Sequence, residues 1–135
     1  MRRIKFKGYG VVLPKNTVSF KNHIRYRISE GETQLQLAVA ACEKALKNSN
    51  ISINDIDCIV SASAVGVQPI PCMAALIHEK IAKGTSIPAL DINTTCTSFI
   101  TALDTMSYLL EAGRYKRVLI VSCDVASSAL NPNQK

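Results

Sequence analysis

Apolar and polar residues alternate through "RIKFKGYGVVLP" (residues 3–14), and Pro14 closes the run. Period two with a terminal proline predicts a first strand and its turn. Residues 15–32 are polar and irregular and read as a loop. At Thr33 the period changes. Leu37, Ala38, Ala41 and Ala45 recur at helical spacing as far as about Ser49, and Thr33 and Gln36 stand at capping-box spacing. "INDIDCIVSASAVG" (53–66) predicts a turn and then a buried strand over Cys58–Ala62, closed at Gly66. Pro71 reads as the first-turn proline of a second helix that Gly84 terminates. "IPALDIN" (87–93) reads as a short strand. Phe99, Leu103, Met106, Leu109 and Leu110 make one helical face, stopped at Gly113. "RVLIVSCD" (117–124) is apolar on both faces, as a strand inside a parallel sheet must be.

Strand, helix, strand, helix, strand, helix, strand is the order of an α/β layered fold with right-handed crossovers. "NPNQK" (131–135) follows the last strand in turn residues, with no closing helix. A last strand without a covering helix exposes apolar surface, so the chain reads as part of something larger or as one half of a pair.

Composition narrows the class. A hydrophobic share of 47% over 135 residues supports one domain with a real core. No apolar run approaches the roughly 20 residues of a membrane span. The basic start "MRRIKFKGYG" has no apolar stretch after it and is not read as a signal peptide. The net charge of +6 is lopsided: residues 1–30 hold eight Lys/Arg and one acid, Glu30. A solvated basic face is the plain reading, and an acidic partner or an anionic cofactor also fits. Neither nucleic acid nor a membrane is expected as partner.

Five cysteines (42, 58, 72, 96 and 123) are an odd number without CxxC spacing, and they read as reduced thiols of a cytoplasmic protein. His23 and His78 offer no zinc spacing, so no metal is expected. His78 reads as a partly exposed surface residue. Glycine-rich phosphate loops are absent. Cys42 on a helix, Cys58 and Cys123 inside strands, and Cys72 in a first helical turn read as packing thiols. Cys96 differs. It stands at a strand-to-helix join among Thr94, Thr95, Thr97 and Ser98. There its sulfur would face the unpaired N–H groups and partial positive charge of a helix start. Such groups favour thiolate over thiol, and they could also receive an oxyanion. Position alone leaves a nucleophile and a buried structural thiol both open.

Three stretches carry a family resemblance: "IKFKGYGVVLP", "INDIDCIVSASA" and "IPALDINTTCTSFITALDTMSYLLEAGRYKRVLIVSCD". Together they resemble the 3-oxoacyl-[acyl-carrier-protein] synthases III, condensing enzymes of the thiolase fold. The resemblance implies that residues 1–135 are the N-terminal half of a duplicated, layered α-β-α architecture, with the C-terminal half absent from this chain. It implies a decarboxylating condensation that starts fatty-acid chains, with Cys96 taking the acyl group from acyl-CoA as a thioester. No cofactor is bound permanently; acyl-CoA is a substrate. A His and an Asn from the second half would complete the site, and His23 and His78 match neither, so the chain alone is expected to be inactive. An acidic acyl-carrier protein as partner agrees with the charge of +6. Family members are homodimers in which a loop crosses to the partner's acyl pocket, and Ile70 occupies the matching position. The stretch between Pro14 and Thr33 is shorter than in the family, and the Trp and Arg that stack on the CoA adenine have no clear match. Arg25 and Arg27 are the nearest substitutes, and the cofactor-binding residues stay unassigned. Another thiolase-type acyltransferase (hydroxymethylglutaryl-CoA synthase-like or polyketide-starter) and a non-catalytic binding module are the alternatives.

Overall fold

The computed structural model describes residues 3–20 and 23–126, with Phe20 described in its backbone only. The turn residues expected at 131–135 lie outside the described residues. Two strands, β1 (Asn16–Phe20) and β2 (His23–Arg27), form an antiparallel hairpin. Then follow α1 (Gln34–Ser49), a 3-10 turn at Ile53–Asp55, β3 (Cys58–Ser61), α2 (Met73–Ile81), β4 (Ala89–Asp91), α3 (Ser98–Glu111) and β5 (Val118–Val121). The last three strands make a parallel sheet in the order β4-β3-β5, with Ile59 opposite both Ala89 and Leu119.

The sheet divides two cores. On one face α1 and α2 pack Ala38, Cys42, Met73 and Ile77 against Ile59, Leu119 and Val121. On the other, α3 packs Ala102 and Met106 against Cys58, Val60 and Ala62. Central β3 is therefore buried on both sides, which is why "CIVS" carries no exposed position. Helix α1 starts where the capping box predicts: Thr33 Oγ1 accepts from Gln36 N, and Gln36 Oε1 accepts from Thr33 N at 2.8 Å. Asn50, in the left-handed region at φ 53°, ends it.

Four expectations need correction. Residues 3–14 form no strand. They run alongside α1, where Lys44 Nζ donates to Val11 O and Asn48 Nδ2 to Tyr9 O, both at 2.9 Å. Gly8 and Gly10 permit this approach, since a Cβ at Gly10 would fall on the Ala41 carbonyl. With no strand beside them, these residues alternate without pairing. Second, the loop expected over 15–32 contains the β1–β2 hairpin. Cross-strand partners share a face, so Arg25 and Arg27 lie with Asn16 and Val18, while Ile24 and Tyr26 lie with Ser19 and Thr17. Third, Pro71 precedes the α2 N-cap, Cys72, instead of sitting in the first turn, and Cys123 lies two residues beyond β5. Fourth, the core side of α3 holds only part of the expected apolar face: Met106 is buried and Leu109 packs against the core, but beside them stand small residues. Ser98, Ala102, Met106 and Ser107 are buried, whereas Phe99 is 40% exposed.

Candidate active site

Cys96 is exposed. It lies in the turn between β4 and α3, at the carboxyl ends of the parallel strands, where open α/β sheets bind their ligands. Cys42 and Cys58 are buried, and Cys72 and Cys123 half-buried. Burial pushes the Cys42 thiol up to about 12 and the Cys123 thiol, beside Asp124, up to about 11.

The four hydroxyl residues around Cys96 fold its turn. Ser98 Oγ donates to Thr95 O at 2.6 Å and accepts from Thr94 N at 3.0 Å. Thr97 Oγ1 donates to Thr94 O at 2.8 Å, and the Thr94 hydroxyl lies 2.9 Å from that of Thr101. Thr95 takes φ 56°, a left-handed value that costs a β-branched residue of order 1–3 kcal/mol unless its surroundings hold it. Asn93 does so: its Oδ1 accepts from Thr95 N at 2.9 Å. The N-cap, Thr97, makes no side-chain bond to the helix start. Among the described residues, the first-turn N–H groups of Phe99 and Ile100 have no hydrogen-bond partner on the protein, which leaves them available to a developing negative charge next to the cysteine.

Three side chains brace the loop after β3, and one of them, Asn93, ties it to this turn. Asn93 Nδ2 donates to Ala64 O at 2.8 Å; Asp124 Oδ1 accepts from Ala64 N and Val65 N; Gln34 Nε2 donates to Val65 O and Cys123 O. Asp91 closes the start of α2, accepting from Met73 N at 2.9 Å and Ala74 N at 2.7 Å, and so replaces the bond that Cys72 does not make. None of these bracing roles was legible from spacing. Each spans elements far apart in sequence, and the only hint was an Asp or Asn shortly after a strand.

Ile70 is 87% exposed at the far end of the braced loop, before a cis bond to Pro71. Among the described residues no hydrogen bond joins it to the Cys96 turn. His23 is exposed on β2, and His78 is half-buried with Nε2 3.2 Å from Thr85 Oγ1. Arg25 and Arg27 are exposed on the hairpin.

Comparison with solved structures assigns this layered α/β unit to the thiolase-type fold. The 3-oxoacyl-[acyl-carrier-protein] synthase III of Aquifex aeolicus superposes with a TM-score of 0.85 at 27% identity, covering 92% of this chain and 46% of that one. The family model described as 3-Oxoacyl-[acyl-carrier-protein (ACP)] synthase III matches residues 90–135, the stretch with Cys96. A beta-ketoacyl-[acyl-carrier-protein] synthase III of Clostridium perfringens is 33% identical over 97% of this chain and 45% of its own length. One of Streptomyces coelicolor is 32% identical over 82% of this chain and 33% of its own. The chain is a 3-oxoacyl-[acyl-carrier-protein] synthase III-like polypeptide, and it spans about half the length of the curated relatives it matches.

Proposed function

We propose that residues 1–135 form the N-terminal, acyl-accepting half of an initiating condensing enzyme, with Cys96 as its nucleophile. The observation that carries this reading is the exposed Cys96 at the head of α3, in a turn built by its own hydroxyl neighbours. The sulfur attacks the thioester carbonyl of acyl-CoA, a carbon–sulfur bond to Cys96 forms, and CoA leaves as its thiolate. The unbonded Phe99 and Ile100 amides at the start of α3 are donors that could receive the tetrahedral oxyanion. Malonyl-carrier protein then loses CO2, its carbanion attacks the acyl-Cys96 carbonyl, and the Cys96 sulfur is released with 3-oxoacyl-carrier protein as product. A covalent intermediate splits one hard step into two easier ones.

Decarboxylation needs groups that polarise the malonyl thioester. Neither His23 nor His78 lies on the Cys96 turn, so that role falls to the portion of the relatives that this chain does not cover. The partner is an acidic carrier protein drawn to the net +6 surface, in a cytoplasmic setting that keeps the exposed thiol reduced. The working form is a homodimer in which the exposed loop ending at Ile70 meets the second copy's acyl pocket. Exposed Ile70, Val65 and Val67 support that placement, because such a run of apolar side chains is covered in an assembly.

Turnover is the test. With acyl-CoA and malonyl-carrier protein the 135-residue chain gives no 3-oxoacyl product, while CO2 release and product appear when the uncovered half of a relative is supplied. Multiple turnovers by the chain alone contradict this division of labour.

A further inference from the structure

Past Ser61 the three parallel strands part, and side chains make the connections that a ladder would make. Among the described residues the last backbone bonds of the central strand run from Ala62 N to Val121 O at 2.7 Å and from Ile92 N to Ser61 O at 2.8 Å. The next donor along β5, Cys123 N, goes to Ser63 Oγ at 2.9 Å, and Cys123 O accepts from Gln34 Nε2. Parting the strands opens the carboxyl end of the sheet, where Cys96 stands, and leaves the continuation of β3 without strand partners.

Ala64, on that continuation, is held from both sides. From the β5 side Asp124 Oδ1 accepts from Ala64 N at 2.8 Å and from Val65 N at 2.9 Å. From the β4 side Asn93 Nδ2 donates to Ala64 O at 2.8 Å. Ala64 O and Val65 N belong to one planar peptide group, whose C=O and N–H point in opposite directions. Anchoring the N–H on Asp124 therefore aims the C=O away from β5, at Asn93. A carboxamide has one donor end and one acceptor end. With Nδ2 committed to Ala64 O, Oδ1 is the end that meets Thr95 N, at 2.9 Å. Turned over, the amide would set oxygen against oxygen and N–H against N–H. Thr95, at φ 56°, is the residue before Cys96.

We infer that Asp124 is a positioning residue for Cys96, acting through the Ala64–Val65 peptide and the Asn93 carboxamide on the left-handed backbone of Thr95. The inference rests on the reading of Cys96 as the acyl acceptor. Its effect is geometric: displacing a reacting group by about 1 Å can slow a reaction on the order of a hundredfold. Both bonds of Asp124 reach the same oxygen, Oδ1, so the relay needs an acceptor at that place and no negative charge.

A double-mutant cycle on the 135-residue chain tests it, with two readouts: the rate of Cys96 acylation by acetyl-CoA, and hydrogen exchange at the Thr95 amide. Asp124→Ala should speed Thr95 exchange about fivefold, the worth of one such bond, and slow acylation by a similar factor. Exchange at Ile59, fully buried in β3, should not change. Asp124→Asn keeps an oxygen that can take both N–H groups, and should restore both readouts to within about twofold of the parent. In the Asn93→Ala background, where the relay is already cut, Asp124→Ala should alter neither readout further. The inference is overturned by effects that add in the cycle, by Asp124→Asn behaving like Asp124→Ala, or by Ile59 exchanging faster together with Thr95, which would make Asp124 a general support of the sheet. A parent chain that takes no acetyl group while Thr95 exchange follows Asp124 sinks the proposed chemistry and leaves the relay standing. Acylation with a Thr95 amide indifferent to Asp124 sinks the relay alone.

Discussion

Burial holds Cys42 as a thiol up to about 12, whereas Cys96 stands in solvent beside unpaired helix amides. In the folded chain at about pH 8, iodoacetamide should therefore label Cys96 first and leave Cys42 intact until the chain unfolds. Equal rates at the two, read by peptide mass spectrometry, favour a binding module without a nucleophile. Asn93→Ala should slow acylation of Cys96 several-fold, because Thr95 then loses the bond that holds its left-handed backbone, with Cys42 still protected; a matching rise in Cys42 labelling would reveal general loosening instead. Charge gives another test. Asp57 accepts from Lys116 N at 2.6 Å and Arg117 N at 2.8 Å, and these bonds hold its carboxyl below the ordinary carboxylate range. A depressed folded value means its stabilisation is present above the unfolded value and is lost as pH falls through the folded one. Asp57→Asn should thus be less stable than the parent at pH 7, and the difference in urea midpoint should vanish in acid.

At the scale of elements, the hydrophobic periods located α1, β3, α2, β4, α3 and β5 in order, because each either buries one stripe or is buried whole. The capping box of Thr33 and Gln36 set the start of α1 to the residue. What periodicity missed has physical causes. The hairpin Asn16–Arg27 is exposed almost throughout, so its sequence carries no core-facing alternation. Residues 3–14 do alternate, but among the described residues they pair with no strand and run along α1. On α3 the expected apolar face is split: Met106 and Leu109 pack on the sheet with Ala102, while Phe99 is 40% exposed. The position of Cys96 was legible because a strand-to-helix join is local, whereas the bracing by Asn93, Asp124 and Gln34 joins positions 29 to 89 residues apart and was not. Asp91 belongs to the same class. Asp91→Ala strips both acceptors from the start of α2 and should cost about 1–2 kcal/mol in denaturant unfolding; an unchanged midpoint would show that α2 needs no cap there.

The molecule as a whole is a layered unit with its cysteine at the carboxyl end of the sheet, and it spans about half the length of the relatives it matches. In the proposed reading those two features divide the reaction between this chain and the rest of the relatives' length. On that reading Cys96 accepts the acyl group, and the rest of the relatives' length supplies the decarboxylating groups. Acylation is the share that this chain should perform by itself. Incubation with acetyl-CoA, followed by intact-mass measurement and peptide mapping, should show a single acetyl adduct on Cys96, with free CoA released in equal amount and no adduct in Cys96→Ala. An adduct that survives Cys96→Ala, or a chain that stays unmodified while Cys96 reacts readily with iodoacetamide, would contradict the account.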